Sequence, residues 1–421
     1  MYLIYNLFLA IAVILFSPVV LVAFLVQPKF RAGFWQKIGF YSINLPKRQT
    51  IWLHAVSVGE VNAIEGLVKK LKEEFPTKNI ILSTVTRTGK EVADSKLKDY
   101  TDKIIYFPYD FYFSILLALK AIRPNIVIIA ETEIWPNFSN ELRKNKIPLM
   151  IVNGRISPNS YEGYKKFSFF FKRILKNYAS ILMQTNTDKE RILNIGANPE
   201  ITEVMGNLKF NIANILDNDD IKNLTASFKL NQQKVIVAGS THSGEDEIVL
   251  NVYEQLKDEF ADLKLIIAPR HPERYPQVLE LIDQTGYSWG LRSKNDGFDK
   301  NDIIMLDTMG ELSKMYSICH FAFIGGSFSG TGGHNPLEAT IYNKPTLSGD
   351  VVFNFKDIYE ILNNEEATIL VKNENELLEN SQKLLRNADF YNKISTACQN
   401  VFEQNSGALD FAISKIKEFL D

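Results

Sequence analysis

Carboxylates, cations and glycines of this 421-residue chain collect in short polar segments that follow apolar runs. The densest is residues 325–338, Gly-Gly-Ser-Phe-Ser-Gly-Thr-Gly-Gly-His-Asn-Pro-Leu-Glu, directly after the apolar run 321–324. Glycine lets the backbone turn tightly and lets a ligand approach the amides. Asn335 is suited to cap a helix, Pro336 to its first turn, and residues 337–341 to continue it. Free amides at a helix start attract an anion, above all a phosphate. Glu338, one turn in, is suited to accept hydrogen bonds from sugar hydroxyls. The stretch predicts a pocket for a nucleotide or sugar phosphate at the carboxyl end of a strand. The plainer reading is a surface loop before an ordinary helix.

Similar segments recur. Residues 54–60 read His-Ala-Val-Ser-Val-Gly-Glu, with Glu60 in the first turn of the next predicted helix. There a carboxylate either compensates the helix dipole or serves as a general base, and the dipole favours its ionised form. Residues 131–137 read Glu-Thr-Glu-Ile-Trp-Pro-Asn, two carboxylates just past a strand, where acids are uncommon. Arg155, after the run 148–152, suits either a phosphate grip or a pair with Glu131 or Glu133. Lys209 follows the run 201–205, where the first domain is expected to end, and is placed to reach a cleft between domains. Residues 239–247 carry hydroxyls and then Glu245, Asp246 and Glu247, suited to a nucleotide cradle or to a well-capped helix. Arg270, in Pro-Arg-His-Pro-Glu-Arg at 269–274, is positioned for a phosphate or a base; its plainer role is a turn bonded to Glu273. The amides of Met309 and Gly310 and the carboxylate of Glu311 suit a ribose or base.

Apolar runs at 51–54, 80–84, 103–107, 126–130, 148–152 and 181–184 alternate with helical spacings such as 60–74 and 111–122. Runs at 235–238, 263–268, 303–306 and 321–324 continue the pattern. It implies βαβ units and parallel sheets, which bind ligands at the carboxyl ends of their strands. The length and the 46% hydrophobic content support two domains with their own cores. The expected division is an anchor at 1–28, an acceptor-binding domain at 29–210, a polar linker at 211–233 and a donor-binding domain at 234–421. Residues 2–26 carry no charge and are long enough to cross a bilayer as a helix, or to lie on it. Lys29, Arg31, Lys37, Lys47 and Arg48 follow, which puts the body of the protein on the cytoplasmic side.

Two cysteines argue against a disulfide framework or a cysteine-based zinc site. The net charge of −2 hides an asymmetry: residues 1–210 hold 28 Lys+Arg against 17 Asp+Glu, and residues 211–421 hold 19 against 32. A basic first half suits anionic lipid or a phosphorylated acceptor, or else reflects solvated helix faces. The five histidines lack metal spacing, and Asp217-Asn218-Asp219, a string that binds metal in some sugar transferases, lies in the polar linker rather than after a strand. There is no G-x-S-x-G elbow, and the glycine stretch is neither a Walker A loop nor a dinucleotide fingerprint.

The combination of residues 54–60, 131–137, 269–274, 309–311 and 335–338 resembles the 3-deoxy-D-manno-octulosonic acid (Kdo) transferase family, over essentially the whole chain. The resemblance implies an α/β GT-B glycosyltransferase, two Rossmann-like domains facing across a cleft, with an N-terminal membrane-anchor helix. It implies an inverting, metal-independent transfer of Kdo from CMP-Kdo to the lipid A disaccharide precursor (lipid IVA), with no cofactor. By the family's pattern Glu60 is the general base, and Glu131 and Lys209 stabilise the transition state. Pro269, Arg270, Met309, Gly310, Glu311, Asn335, Pro336, Leu337 and Glu338 hold CMP. The implied partners are CMP-Kdo, the lipid A precursor and the cytoplasmic face of the inner membrane, with no nucleic acid. Other readings are a GT-B-like nucleotide-sugar epimerase or hydrolase, and a membrane-anchored nucleotide-sugar binding protein.

Overall fold

The computed structural model describes residues 2–26, 31–212 and 215–420. The chain divides into two compact units: residues 1–211 with 405–421, and residues 212–404.

The first unit is built on a seven-stranded parallel sheet. Its strands are β1 (Thr50–His54), β2 (Asn79–Thr84), β3 (Lys103–Tyr106), β4 (Ile126–Ala130), β5 (Leu149–Gly154), β6 (Ser180–Met183) and β7 (Thr202–Val204). They lie in the order β3-β2-β1-β4-β5-β6-β7. β1, β2, β4 and β5 are buried throughout, as strands covered on both faces must be. That explains their continuous apolar runs. On one face Trp52 packs its ring edge-on against Phe138, with Ile115, Leu142 and Ile174 nearby. On the other, Ile51, Leu53, Leu67 and Leu71 pack with Ala412, Ile413, Ile416 and Leu420.

The second unit has a sheet of the same kind. β8 (Val235–Thr241), β9 (Lys264–Pro269), β10 (Trp289–Leu291), β11 (Ile303–Met305), β12 (Phe321–Ile324), β13 (Thr346–Gly349) and β14 (Ile369–Val371) lie in the order β10-β11-β9-β8-β12-β13-β14. Every pairing in both sheets is parallel. In each sheet the strand order reverses once beside its first strand. That reversal falls between β1 and β4 in one and between β8 and β12 in the other, and there a parallel sheet opens a crevice for ligands.

Two expected boundaries shift. Residues 405–421 belong to the first unit, not the second. The helix Ala408–Lys417 buries Ala412, Ile413 and Ile416 in that core, while Lys415 pairs with Glu203 at 2.8 Å and Lys417 with Glu74 at 2.9 Å. The segment 211–233 is not a plain linker either. Residues 213–214 lie outside the described residues, but Asn218–Ser227 is a helix and Phe228 is fully buried in the second core. Asp217 caps that helix, accepting from the amides of Asp219 and Asp220.

The N-terminal helix spans Tyr2–Val26. A line of polar side chains ties it to the first unit. Tyr5 donates to Asp110 at 3.0 Å, Asn6 and Asn137 exchange side-chain amide bonds at 2.8 and 3.0 Å, and Asn177 donates to the Tyr2 hydroxyl. Asp110 also accepts from the amides of Asn137 and Phe138, at the start of the helix Pro136–Lys144. Leu3, Ile4, Leu7, Phe8, Ile14 and Leu15 are exposed. The side chains of residues 19–23 and 25, and the whole of Lys29, lie outside the described residues. Among the described residues no helix is long and apolar enough to cross a membrane.

Ile416 is fully buried against the first sheet. Ile416→Ala is expected to lower the unfolding free energy of the first unit by about 2–5 kcal/mol. Denaturant unfolding read by fluorescence measures this; an unchanged midpoint would mean that the C-terminal helix is not an integral part of that core.

Candidate active site

In the first unit the candidate residues Glu60 and Glu131 follow the two strands at the sheet reversal, and Lys209 follows the edge strand β7. After β1, Ser57 caps the helix Val58–Ala63, and its side chain accepts from the Glu60 amide. Glu60 folds back, with Oε2 accepting from the Val56 amide at 2.7 Å and Oε1 from the Ser57 hydroxyl at 3.3 Å. This is a variant of the capping box, reaching one residue further back. The expected effect of the helix start on Glu60 is overridden. Burial pushes its carboxyl up to about 8, and the charges of Glu131 and Glu133 push the same way. The Val56 amide and Ser57 hydroxyl oppose the shift without cancelling it.

Glu131 follows β4 with φ of 56°, a left-handed conformation uncommon for a residue with a side chain. Its carboxylate lies 3.9 Å from Lys209 Nζ. Lys209 is held by asparagines. Asn153, itself at φ of 56°, accepts from the Leu208 amide at 2.9 Å, and Asn207 accepts from the Lys209 amide at 3.0 Å. Asn207 donates in turn to Gln184 at 3.1 Å. The structure thus brings Glu60, Glu131, Glu133 and Lys209 into one charged cluster. His54 stays out of it. It is fully buried, stacked on Phe107 at 3.8 Å, with Nδ1 3.0 Å from Ser83 Oγ, and burial lowers its pKa to about 3. It is a neutral core residue. Arg155 lies beside the cluster in sequence, its amide donating to Thr132 Oγ1 at 3.0 Å.

In the second unit the glycine-rich segment after β12 departs from expectation. Its amides already hold an anion from within the chain. Glu245, almost wholly buried, accepts from the amides of Gly326, Ser327 and Phe328 at 2.7–2.8 Å, and from that of His242 at 2.9 Å. A phosphate at these three amides would have to displace a buried carboxylate. The glycines permit this packing: a Cβ on Gly325 would come within 2.4 Å of the Ser240 carbonyl oxygen, and Gly326 sits at φ of 71°. The helix that follows is a single turn, Leu337–Thr340, capped by Pro336 rather than Asn335. Asn335 Oδ1 accepts from the Leu337 amide at 3.2 Å. Leu337 is core, and Glu338 is largely buried, which raises its pKa against the lowering by Asn335 and Arg270.

Around this segment, side chains that face outward suit a phosphorylated ligand. Arg270, just past Pro269 at the end of β9, is exposed. Arg274 is bound instead to buried Asp246, which also accepts from Thr241. His242 Nε2 lies 2.9 Å from His334 Nε2 with the rings stacked, and His271 meets His242 edge-on. Met309 is exposed, and Gly310 turns at φ of 79° with open space beside it. Glu311 is held by Thr308 and pairs with Arg292 at 3.3 Å, which keeps its carboxyl below the usual range against the opposing effect of burial.

The family described as 3-deoxy-D-manno-octulosonic-acid transferase (kdotransferase) matches residues 32–212. The 3-deoxy-D-manno-octulosonic acid transferase of Haemophilus influenzae is 32% identical over 94% of this chain and 93% of that protein. The chain belongs to the Kdo transferase family. A bifunctional glycosyltransferase/methyltransferase of Fusobacterium nucleatum is 38% identical over 89% of this chain, and this chain spans 58% of its length. Among solved structures, the UDP-GlcNAc 2-epimerase of Neisseria meningitidis bound to UDP-GlcNAc superposes with a TM-score of 0.52 at 14% identity, covering 88% of this chain and 100% of that one. At that identity the likeness concerns the fold alone, a GT-B-like pair of parallel α/β units.

Membership of the Kdo transferase family frames what the sequence missed. Glu245 reads in the sequence as one of three acids at a helix start; three of its four amide partners lie 81 to 83 residues away. Asn153 and Asn207 stood in polar turns without an assigned task, and their signal was an asparagine just past a strand. His242 and His334 are 92 residues apart, and no local spacing links them.

Two outcomes follow. Glu245→Ala strands the buried amides of Gly326 and Ser327 and the partly buried ones of Phe328 and His242, and is expected to cost the second unit about 3 kcal/mol or more, read by denaturant unfolding; an unaltered midpoint would show that the amides find other partners. For Glu60 the sign is opposite. The folded chain binds its proton more tightly than the unfolded one, so stability falls as pH rises from the usual carboxylate range through about 8. Glu60→Gln removes that loss, and the variant is expected to melt above wild type at pH 8–9 and nearer to it at pH 5.

Proposed function

We propose that this Kdo transferase moves Kdo from CMP-Kdo to the lipid A disaccharide precursor, lipid IVA, with inversion at the anomeric carbon and without a metal. The observation that carries the reading is the cluster at the reversal of the first sheet: Glu60, held by Val56 and Ser57, beside Glu131 and Lys209. A carboxyl near pKa 8 is a stronger base than an ordinary glutamate once ionised, and near-neutral pKa values suit proton transfer.

In this reading Glu60 takes the proton of the acceptor's primary hydroxyl as its oxygen attacks the anomeric carbon. The bond from that carbon to the phosphate oxygen breaks, and its electrons stay with CMP. Inversion requires attack on the face opposite the leaving phosphate. Lys209 and Glu131 act on the charge that develops at the sugar. Arg270 stabilises the phosphate as it gains charge, while Met309, Gly310, Glu311 and the segment Asn335, Pro336, Leu337 and Glu338 hold the nucleotide.

The acceptor is a glycolipid, so we also place the reaction at the cytoplasmic face of the inner membrane. Supporting this are the exposed Leu3, Ile4, Leu7 and Phe8 of the N-terminal helix and the exposed Trp35 and Phe40. The 28 Lys+Arg of residues 1–210 would favour an anionic surface.

The test is CMP release from CMP-Kdo by the detergent-solubilised chain, with and without lipid IVA. Release is expected to need the acceptor and to fall about 10²–10⁴-fold in Glu60→Gln. For wild type, kcat/KM is expected to rise tenfold per pH unit below about 8 and then level, because the base form of Glu60 is the minor one at neutral pH. Release without acceptor would mark a hydrolase. CMP-Kdo binding without release would mark a binding protein, and full activity in the variant would move the base elsewhere.

A further inference from the structure

Three histidines meet at the carboxyl end of the second sheet, and the reading above gives them no task. His242 follows β8, His271 follows β9 and His334 closes the glycine-rich segment after β12. The Nε2 atoms of His242 and His334 are 2.9 Å apart, and the rings stack at 13° with centroids 5.2 Å apart. Two ring nitrogens at this distance share one hydrogen: one ring donates Nε2–H, and the other accepts with its lone pair and carries its own hydrogen on Nδ1. A further proton can enter at Nδ1 of the donating ring. The Nε2–H···Nε2 bond then survives and becomes charge-assisted. A second added proton would set two N–H groups against each other. The pair is therefore built to hold one extra proton.

The surroundings decide when it does so. In the unliganded chain, burial lowers the pKa of both rings, that of His334 to about 4. Arg270 and His271 press on both rings in the same direction, and Arg274 presses on His242. Glu245 alone among the facing charged groups raises His242, but its carboxylate is shared among four backbone amides. Asp246 is bound to Arg274, and Glu338 faces Arg270. The cluster is thus short of negative charge beside an exposed arginine. A phosphate at Arg270 would supply it.

We propose that His242 and His334 form a single-proton acceptor that takes up one proton from solvent when a phosphate ester binds at Arg270. This rests on the donor reading above and gives that site a charge it lacks at rest. The phosphodiester of a CMP-sugar carries one negative charge, and the released CMP carries about two. The acceptor's hydroxyl proton goes to Glu60, so the leaving phosphate receives none. The protonated pair matches the added charge without a proton transfer during bond breaking, and it returns its proton to solvent when CMP leaves.

The probe is CMP itself, titrated calorimetrically into the full-length protein in detergent at pH 7.5, in buffers of different ionisation enthalpy. Wild type is expected to take up close to one proton per CMP bound. His242→Gln and His334→Gln are expected to abolish the uptake and weaken CMP binding, whereas His271→Gln, which only meets the pair edge-on, retains it. Uptake unchanged in both pair variants overturns the proposal. CMP binding without any uptake by wild type overturns it while leaving the donor site intact, and no CMP binding at all removes the donor reading and the proposal together. Should a variant misfold, the imidazole ¹⁵N shifts of wild type decide independently: one ring of the pair moving to the imidazolium range on addition of CMP supports the proposal, and unchanged shifts overturn it.

Discussion

A parallel sheet buried on both faces fills the middle of its strands with apolar side chains and leaves little room for charged ones, and this constraint organises both units. Each sheet spends its strands on apolar contact and its backbone on pairing with neighbours. Polar chemistry is left to the carboxyl ends, and it concentrates where the strand order reverses. Glu60 and Glu131 follow the two strands that flank one reversal; His242 and the glycine-rich segment follow the two that flank the other. The backbone conformations at these ends carry the same signature. Glu131, Asn153 and Ser240 all sit at positive φ, an arrangement that costs conformational energy and persists because surrounding contacts over-determine it.

The two ends treat negative charge in contrasting ways. In the first unit three glutamates converge, with Lys209 3.9 Å from Glu131, and the charges of Glu131 and Glu133 act on Glu60. Burial, with repulsion from Glu131 and Glu133 added, makes Glu60 hold its proton to about pH 8. In the second unit the buried Glu245 is fully matched by amides and braces the loop. Positive charge is left outside, at the exposed Arg270 beside the three histidines.

Much of this was legible because buried parallel strands write themselves as unbroken apolar runs. β4 and β12 match the runs at 126–130 and 321–324 to the residue, and most others differ by one or two. β10, Trp-Gly-Leu, and β13, Thr-Leu-Ser-Gly, escaped because glycine and polar residues break their apolar runs, and the three-residue β14 was not singled out either. Glu60, Glu131 and Lys209 were each singled out by their places after apolar runs, and the structure brings them into one cluster. The glycine-rich segment was only partly legible. Its composition signals an anion nest, and there is one, but a one-dimensional pattern does not say whether the anion comes from a ligand or from a residue 81 positions earlier. The same blindness to distance hid the His242–His334 contact. The tail was misassigned for a related reason. Helical spacing in 408–420 says which face is buried but not in which core.

That tail has a bearing on how the protein is made. The ribosome finishes the entire second unit before it supplies Ala412, Ile413 and Ile416, which complete the hydrophobic core of the first. Domains ordinarily fold in the order in which they are synthesised, but here the unit begun first is closed last. A nascent chain interrupted anywhere in the second unit carries a first unit whose core still lacks Ala412, Ile413 and Ile416, a target for chaperones and proteases. The Glu60 cluster is built on that unit's sheet, so it stands on a core that is complete only once the helix Ala408–Lys417 has been made.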